Sequence, residues 1–260
     1  MARKKRDRHY YYEAEWVAGG VYHVYNCAVQ PNELLRTREE YSFFVELIRD
    51  RVTAFALVFA YALLPNHFHL AIRLLDEETL RARILAKPPS KRWVKERGWL
   101  AGQVPFRQLI GDYWATMFSV YTSFYNPRAH RRGTLLDQTL RRIRVRADLI
   151  SRHLIMYIHT NEVKHHILSS YLNSGLRTSF GYYGLERDDH WLARDLVLER
   201  FGGLDNFLGR HVQYVRKYGS RVSGFDEELY FKPSGDRELF HTPYVPFLED
   251  APPRPSELVW

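Results

Sequence analysis

The 260-residue sequence contains a single cysteine, Cys27, and three methionines. One cysteine cannot close an intramolecular disulfide or furnish a zinc–thiolate cluster, which fits a reducing cytosol. No apolar run approaches the roughly 20 residues that a bilayer-spanning helix needs, so no membrane partner is expected. The opening residues Met1-Ala2-Arg3-Lys4-Lys5-Arg6 lead into polar and aromatic residues instead of an apolar stretch, so a secretory signal is not expected. Nothing repeats at a fixed period.

What the chain has in quantity is aromatic and cationic side chains, with 18 tyrosines and a formal net charge of +8. The charge is unevenly placed. Residues 128 to 152 carry Arg128, Arg131, Arg132, Arg141, Arg142, Arg144, Arg146 and Arg152 against Asp137 and Asp148 only. A second basic cluster, Arg3, Lys4, Lys5, Arg6 and Arg8, is opposed by Asp7. The planar guanidinium fork matches phosphate oxygens. A charge run is by default a solvated face, but this one precedes a candidate nucleophile, which favours a nucleic-acid track.

Periodicity supplies the elements. Val21-Tyr22-His23-Val24-Tyr25 reads as a strand. Thr37 to Val52 has helical spacing, with Tyr41, Phe44, Val45 and Ile48 on one stripe. Phe55 to Leu64 is too apolar for a surface strand and is expected to be buried; Pro65-Asn66 breaks it, and His67 to Leu74 resumes as the second arm of a hairpin. Residues 76 to 86 suggest a short helix, 87 to 102 a connection, and Phe106 to Tyr125 a long helix ended by Asn126-Pro127. Arg141-Ile143-Val145 alternates with Arg142 and Arg144 as a fourth strand. Asp148 to about Lys164 is helical, with Ile150, Leu154 and Ile158 as its packing ridge. The order implies an α+β fold: a mainly antiparallel sheet of four to five strands with helices packed on it. Two further helices, 191 to 201 and 204 to 218, meet at Gly202-Gly203. The expected organisation is a basic arm (1–15), a main domain (16–170), a small C-terminal helical extension (171–222) and a tail (223–260).

The chemistry concentrates in two segments. In Leu64-Pro65-Asn66-His67-Phe68-His69-Leu70, strand alternation puts His67 and His69 on one face and Phe68 on the other. Two imidazoles so placed can share a divalent ion, although an isolated pair is more often structural. In Met156-Tyr157-Ile158-His159-Thr160-Asn161, Tyr157 and Asn161 are neighbours on one helix face. A carboxamide oxygen suits magnesium or manganese, and a tyrosine beside such an ion can attack phosphorus. Taken alone, Tyr157 reads as a core tyrosine; the histidines change that reading. His159 points away from Tyr157 on the helix, and it and His165 are expected at the surface.

These segments resemble those of the HUH single-tyrosine transposases, in particular the REP-associated tyrosine transposases. The similar stretches are Tyr22-His23-Val24-Tyr25-Asn26, the His67-Phe68-His69 segment, Arg131-Arg132-Gly133-Thr134-Leu135 and Tyr157-Ile158-His159-Thr160-Asn161-Glu162-Val163-Lys164-His165, in family order. Ser169-Ser170-Tyr171 and Phe201-Gly202-Gly203 extend the resemblance toward the C-terminus. It departs from the family at Glu162, where proline is usual, at Cys27, where arginine is common, and at Thr139-Leu140, in place of an aromatic–basic pair.

The resemblance implies a ferredoxin- or RRM-like HUH domain acting as a metal-dependent endonuclease and strand transferase on single-stranded or hairpin DNA. His67, His69 and Asn161 would bind magnesium or manganese, and Tyr157 would form a 5′-phosphotyrosine. The cationic positions expected at DNA are Arg128, Arg131, Arg132, Arg141, Arg142, Arg144, Arg146, Lys164, Arg3, Lys4 and Lys5. Tyr10, Tyr11 and Tyr12 either stack bases or have no ordered role. Cytoplasmic, nucleoid-associated localisation and a homodimer are implied in the same way, without a coiled-coil signal. The alternative is a non-cleaving DNA- or RNA-binding protein that keeps the fold.

Overall fold

A computed structural model describes residues 13–145, 152–161, 177–184 and 191–218. Its centre is a sheet of four strands, β1 (Val21–Cys27), β2 (Ala56–Leu63), β3 (His67–Leu74) and β4 (Arg141–Val145), in the order β2-β3-β1-β4. Every neighbouring pair is antiparallel. The β-α-β-β-α-β sequence of elements with the first and third strands at the centre is the ferredoxin-like plan, so the fold is α+β, as the periodicity predicts.

Helix α1 (Arg38–Leu47) starts where Thr37 accepts a hydrogen bond from the Glu40 N–H and the Glu40 carboxylate accepts one from the Thr37 N–H, a reciprocal capping box. The helix continues as a wider turn over Ile48–Val52. The chain then enters β2, and the Leu64-Pro65-Asn66 connection returns it into β3, with the Leu64 N–H donating to the His67 carbonyl. Both strands are almost wholly buried, and their alternation splits the side chains between two covered faces. Phe68 packs on Phe44 of α1 and on Phe118 of α4 (Phe106–Arg128), with ring centroids 5.3 and 6.0 Å away. That is the larger core. On the opposite face β1 and β3 place His23, Tyr25, His67 and His69, and this face is covered by α5 (Arg152–His159).

Two differences from the sequence reading concern helices. Residues 87 to 102 are not a plain connection: between α2 (Glu77–Ala86, capped by Asp76) and α4 lies α3 (Val94–Leu100). Pro88, Pro89 and Gly98 hide it from periodicity, and Gly98 is needed because a Cβ there would meet Val104 at 2.8 Å. Helix α4 runs on past Pro127 to Arg128, with Ala129 as its C-cap; Pro127 falls in the last turn, where it withholds a single backbone bond.

On the outer side of β2, Thr178 bridges Ala62, and the Ser179 and Ala193 N–H groups donate to the Tyr61 and Val58 carbonyls, so this sheet edge is partly covered. Beyond it, α6 (Phe180–Gly184), α7 (Arg194–Phe201) and α8 (Leu204–Tyr218) follow. Gly202 and Gly203 make the α7–α8 corner with φ of +78° and +103°. Ile150 and the first turn expected for the α5 helix lie outside the described residues. Among the described residues no helix is long and apolar enough to cross a membrane.

Candidate active site

Pairing of β1 with β3 sets Tyr25 opposite His69 and Cys27 opposite His67, so all four side chains share a face. His23, two residues before Tyr25 on β1, joins them. His69 is 4% exposed and His23 3%, and His69 Nδ1 lies 2.9 Å from His23 Nε2. Their rings are nearly parallel, with centroids 5.1 Å apart. His67, half-buried at the start of β3, meets His69 edge-on at 5.0 Å, and its Nδ1 is 2.7 Å from Asn66 Oδ1.

Helix α5 brings Tyr157 to this cluster. The tyrosine ring stands edge-on to His69 at 5.7 Å and to His23 at 5.8 Å, and only 7% of the residue is exposed. Asn161, one turn further on, is fully buried, and neither its Oδ1 nor its Nδ2 has a hydrogen-bond partner among the described residues. An unpartnered buried carboxamide costs about 1–3 kcal/mol, a cost that a bound ligand would offset. The described residues contain no group of three or more His, Cys, Asp and Glu able to hold a metal. His67, His69 and the Asn161 carboxamide fit a hard divalent ion in chemical type.

His23 is the residue that sequence reading left without a role. Its signal was present, since it alternates with Tyr25 as His67 does with His69, but only the β1–β3 adjacency shows which histidine it faces. His159 is a correction: it is not at the surface but fully buried. Helix α5 lies between the sheet and α8, so every residue from Leu154 to His159 is buried. His159 joins a hydrogen-bond chain in which the Tyr61 N–H donates to Ser179 Oγ (2.9 Å), Ser179 Oγ lies 2.7 Å from His159 Nε2, and His159 Nδ1 lies 2.9 Å from His211 Nε2. His211 Nδ1 lies 2.8 Å from the Phe207 carbonyl. One set of protons, with both imidazoles neutral, satisfies the whole chain from β2 to α8. Burial pushes the His159 pKa well below its ordinary value and that of His211 down to about 3.

The arginines divide between the two faces of the sheet and the end of α4. Arg141 is on the histidine face, opposite Tyr25 and 5.9 Å above its ring, with Asp137 at 3.5 Å. Arg142 and Arg144 alternate to the other face. Arg142 donates to the Ala14 and Leu140 carbonyls and lies over Trp16, while Arg144 is exposed. Arg128 lies over Phe124 and pairs with Glu39 at 3.2 Å. Arg131 binds Asn126 and the Thr134 carbonyl, and Arg132 is exposed. Arg3, Lys4, Lys5, Arg146, Lys164 and His165 lie outside the described residues.

No family model matches the chain, and no curated protein matches it. Among solved structures, the fold is similar to one described as the REP-associated tyrosine transposase bound to a REP hairpin. The identity is 16%, the TM-score is 0.43, and the match covers 66% of this chain and 82% of that one.

Proposed function

We propose that the chain is a metal-dependent single-stranded DNA endonuclease and strand transferase that acts on hairpin-type DNA through Tyr157. The observation that carries this reading is the seating of the Tyr157 ring against His69 and His23, on the face that also holds His67. The ordered motifs resembling the REP-associated tyrosine transposases support the same assignment. His67, His69 and Asn161 would hold a magnesium or manganese ion, which when bound polarises a phosphodiester and offsets negative charge in its displacement. Of the arginine stretch, exposed Arg132 and Arg144, together with Arg141 on the histidine face, would meet the DNA backbone.

The chain's own part in the reaction is positioning and nucleophilic attack. The Tyr157 phenol loses its proton as its oxygen bonds to phosphorus. The bond from phosphorus to the 3′-oxygen breaks, and that oxygen takes up a proton to leave as a 3′-hydroxyl. The phosphotyrosine conserves the bond energy, so a 3′-hydroxyl can reverse the exchange without ATP. Low exposure of Tyr157, 7%, favours a second reading, a DNA- or RNA-binding protein that does not cut.

One experiment separates them. Incubation with manganese and hairpin-tipped single-stranded DNA is expected to give a denaturant-stable protein–DNA adduct. Tyr157→Phe abolishes it, and His67→Ala and His69→Ala lower it by at least about 100-fold. A wild-type chain that binds such DNA yet forms no adduct, or a Tyr157→Phe variant that still forms one, overturns the nuclease reading.

A further inference from the structure

We infer that His23 is a positioning residue that fixes the tautomer of His69, so that His69 ligates through Nε2. The inference rests on the proposed role of His69 as a metal ligand, and its physical content lies in the contact between the two rings.

The Nδ1 of His69 and the Nε2 of His23 are 2.9 Å apart, and both rings are buried. Two neutral imidazole nitrogens at that distance share one proton, and there are two ways to place it. If His23 Nε2 carries the proton, then His69 accepts it at Nδ1 and has its own proton on Nε2, where no metal can bind. If His69 Nδ1 carries the proton, His23 Nε2 accepts, and the lone pair of His69 sits on Nε2. Only the second arrangement makes His69 a ligand. A ligating histidine generally donates its other N–H to a fixed acceptor, which sets both tautomer and ring direction. Here the acceptor is another imidazole on the neighbouring strand.

His67 follows the same pattern by a different route. Its Nδ1 is 2.7 Å from Asn66 Oδ1, an acceptor only, so the proton is on Nδ1 and Nε2 is again the ligating nitrogen. Both histidines therefore present Nε2, one held by its chain neighbour and the other by a residue distant in sequence. Burial protects the His23–His69 contact from competing water, whereas Asn66 is exposed. His23 is accordingly the stronger of the two constraints. Its ring also stands edge-on to Tyr157, so one side chain orients a metal ligand while packing against the nucleophile.

The test uses 15N-histidine NMR at pH 8 on the full, metal-free chain, with His69 assigned from a His69→Gln spectrum. Wild-type His69 is expected in the Nδ1–H form. In His23→Ala it shifts toward the Nε2–H form that free imidazole side chains prefer, and manganese affinity, read by the EPR signal of the free ion, falls about 10- to 100-fold. His23→Gln, whose amide oxygen can accept the same hydrogen bond, retains the Nδ1–H form and recovers most of the affinity. If His23→Ala does not fold, the wild-type and His23→Gln spectra decide. Wild-type His69 protonated at Nε2, or a folded His23→Ala variant that binds manganese as tightly as wild type, overturns the inference. Failure of the wild-type chain to bind manganese overturns the proposed metal site instead, and the tautomer measurement still decides the role of His23.

Discussion

Glu96 shows how a single buried charge is retained in this fold. It is 1% exposed and would be driven toward its neutral form by burial, yet its pKa lies below the ordinary value. What opposes burial is a set of hydrogen bonds donated by Lys87 Nζ at 2.6 Å, the Tyr113 hydroxyl at 2.7 Å and the Trp93 N–H at 2.9 Å. Removing the carboxylate strands the Tyr113 hydroxyl and one backbone N–H, while Lys87 remains partly solvated. Glu96→Ala should therefore cost about 2 kcal/mol in urea unfolding, with α3 detaching first; an unchanged midpoint would refute this account. At the same scale, the pairings of His67 with His69 and of Tyr157 with Asn161 were legible in the sequence, because strand and helix periods fix them; their roles in the chemistry belong to the proposed function. His23 was not legible in this way, because the residue that gives it meaning lies on β3, and sequence spacing carries no information on which strands become neighbours. Asn66 was read only as a turn residue, since its side chain acts on the adjacent histidine by a contact that no pattern encodes.

Among the elements, α5 is the one whose setting was least readable. Its amphipathic ridge was visible, but the ridge suggested one buried face, and burial extends around the helix because α8 and the β2 edge close over the other side. The Ser179–His159–His211 chain is the polar component of that closure. His211 is packed among the rings of Phe180, Phe201, Phe207 and His159. Its folded pKa is depressed from 6.5 to about 3, so between those values the unfolded chain binds a proton that the native chain refuses. Stability is thus fully present above pH 6.5 and declines as pH falls through that window. Thermal unfolding midpoints measured from pH 7.5 down to pH 5 should drop, and His211→Phe should flatten the drop. A wild-type midpoint that stays level or rises on acidification would contradict the neutral assignment. The strands, by contrast, were read almost to the residue, because an apolar run bounded by Pro65-Asn66 and an alternating one have few other ways to fold. The short α3 was lost among prolines and a glycine.

For the whole molecule, the net charge of +8 is a bulk property that the fold resolves into separate tasks. The arginine-rich stretch read as one track is divided by strand alternation, so its members should behave differently. Arg132 and Arg144 are exposed, and Arg141 sits on the histidine face; Arg142 is bonded inward to the Ala14 and Leu140 carbonyls. Binding of single-stranded DNA measured against salt should show each of Arg132→Ala and Arg141→Ala reducing the log–log slope by about 0.7. Arg142→Ala should leave the slope alone and lower thermal stability. Equal slope losses at all three positions would mean that the inward contacts of Arg142 do not hold in solution.

The sheet order has a consequence for how the protein comes into being. Strands β2 and β3 form a local hairpin, but β1 completes its pairing with β4, and α5 is closed over by α8, through contacts far apart along the chain. Long-range closures of this kind form late. During synthesis the histidines leave the ribosome well before Tyr157, and Tyr157 before His211. A nascent chain therefore carries His67 and His69 before it carries Tyr157, the proposed nucleophile, and then a Tyr157 whose helix is not yet enclosed. Assembly order itself withholds Tyr157 until more than half of the chain has been made.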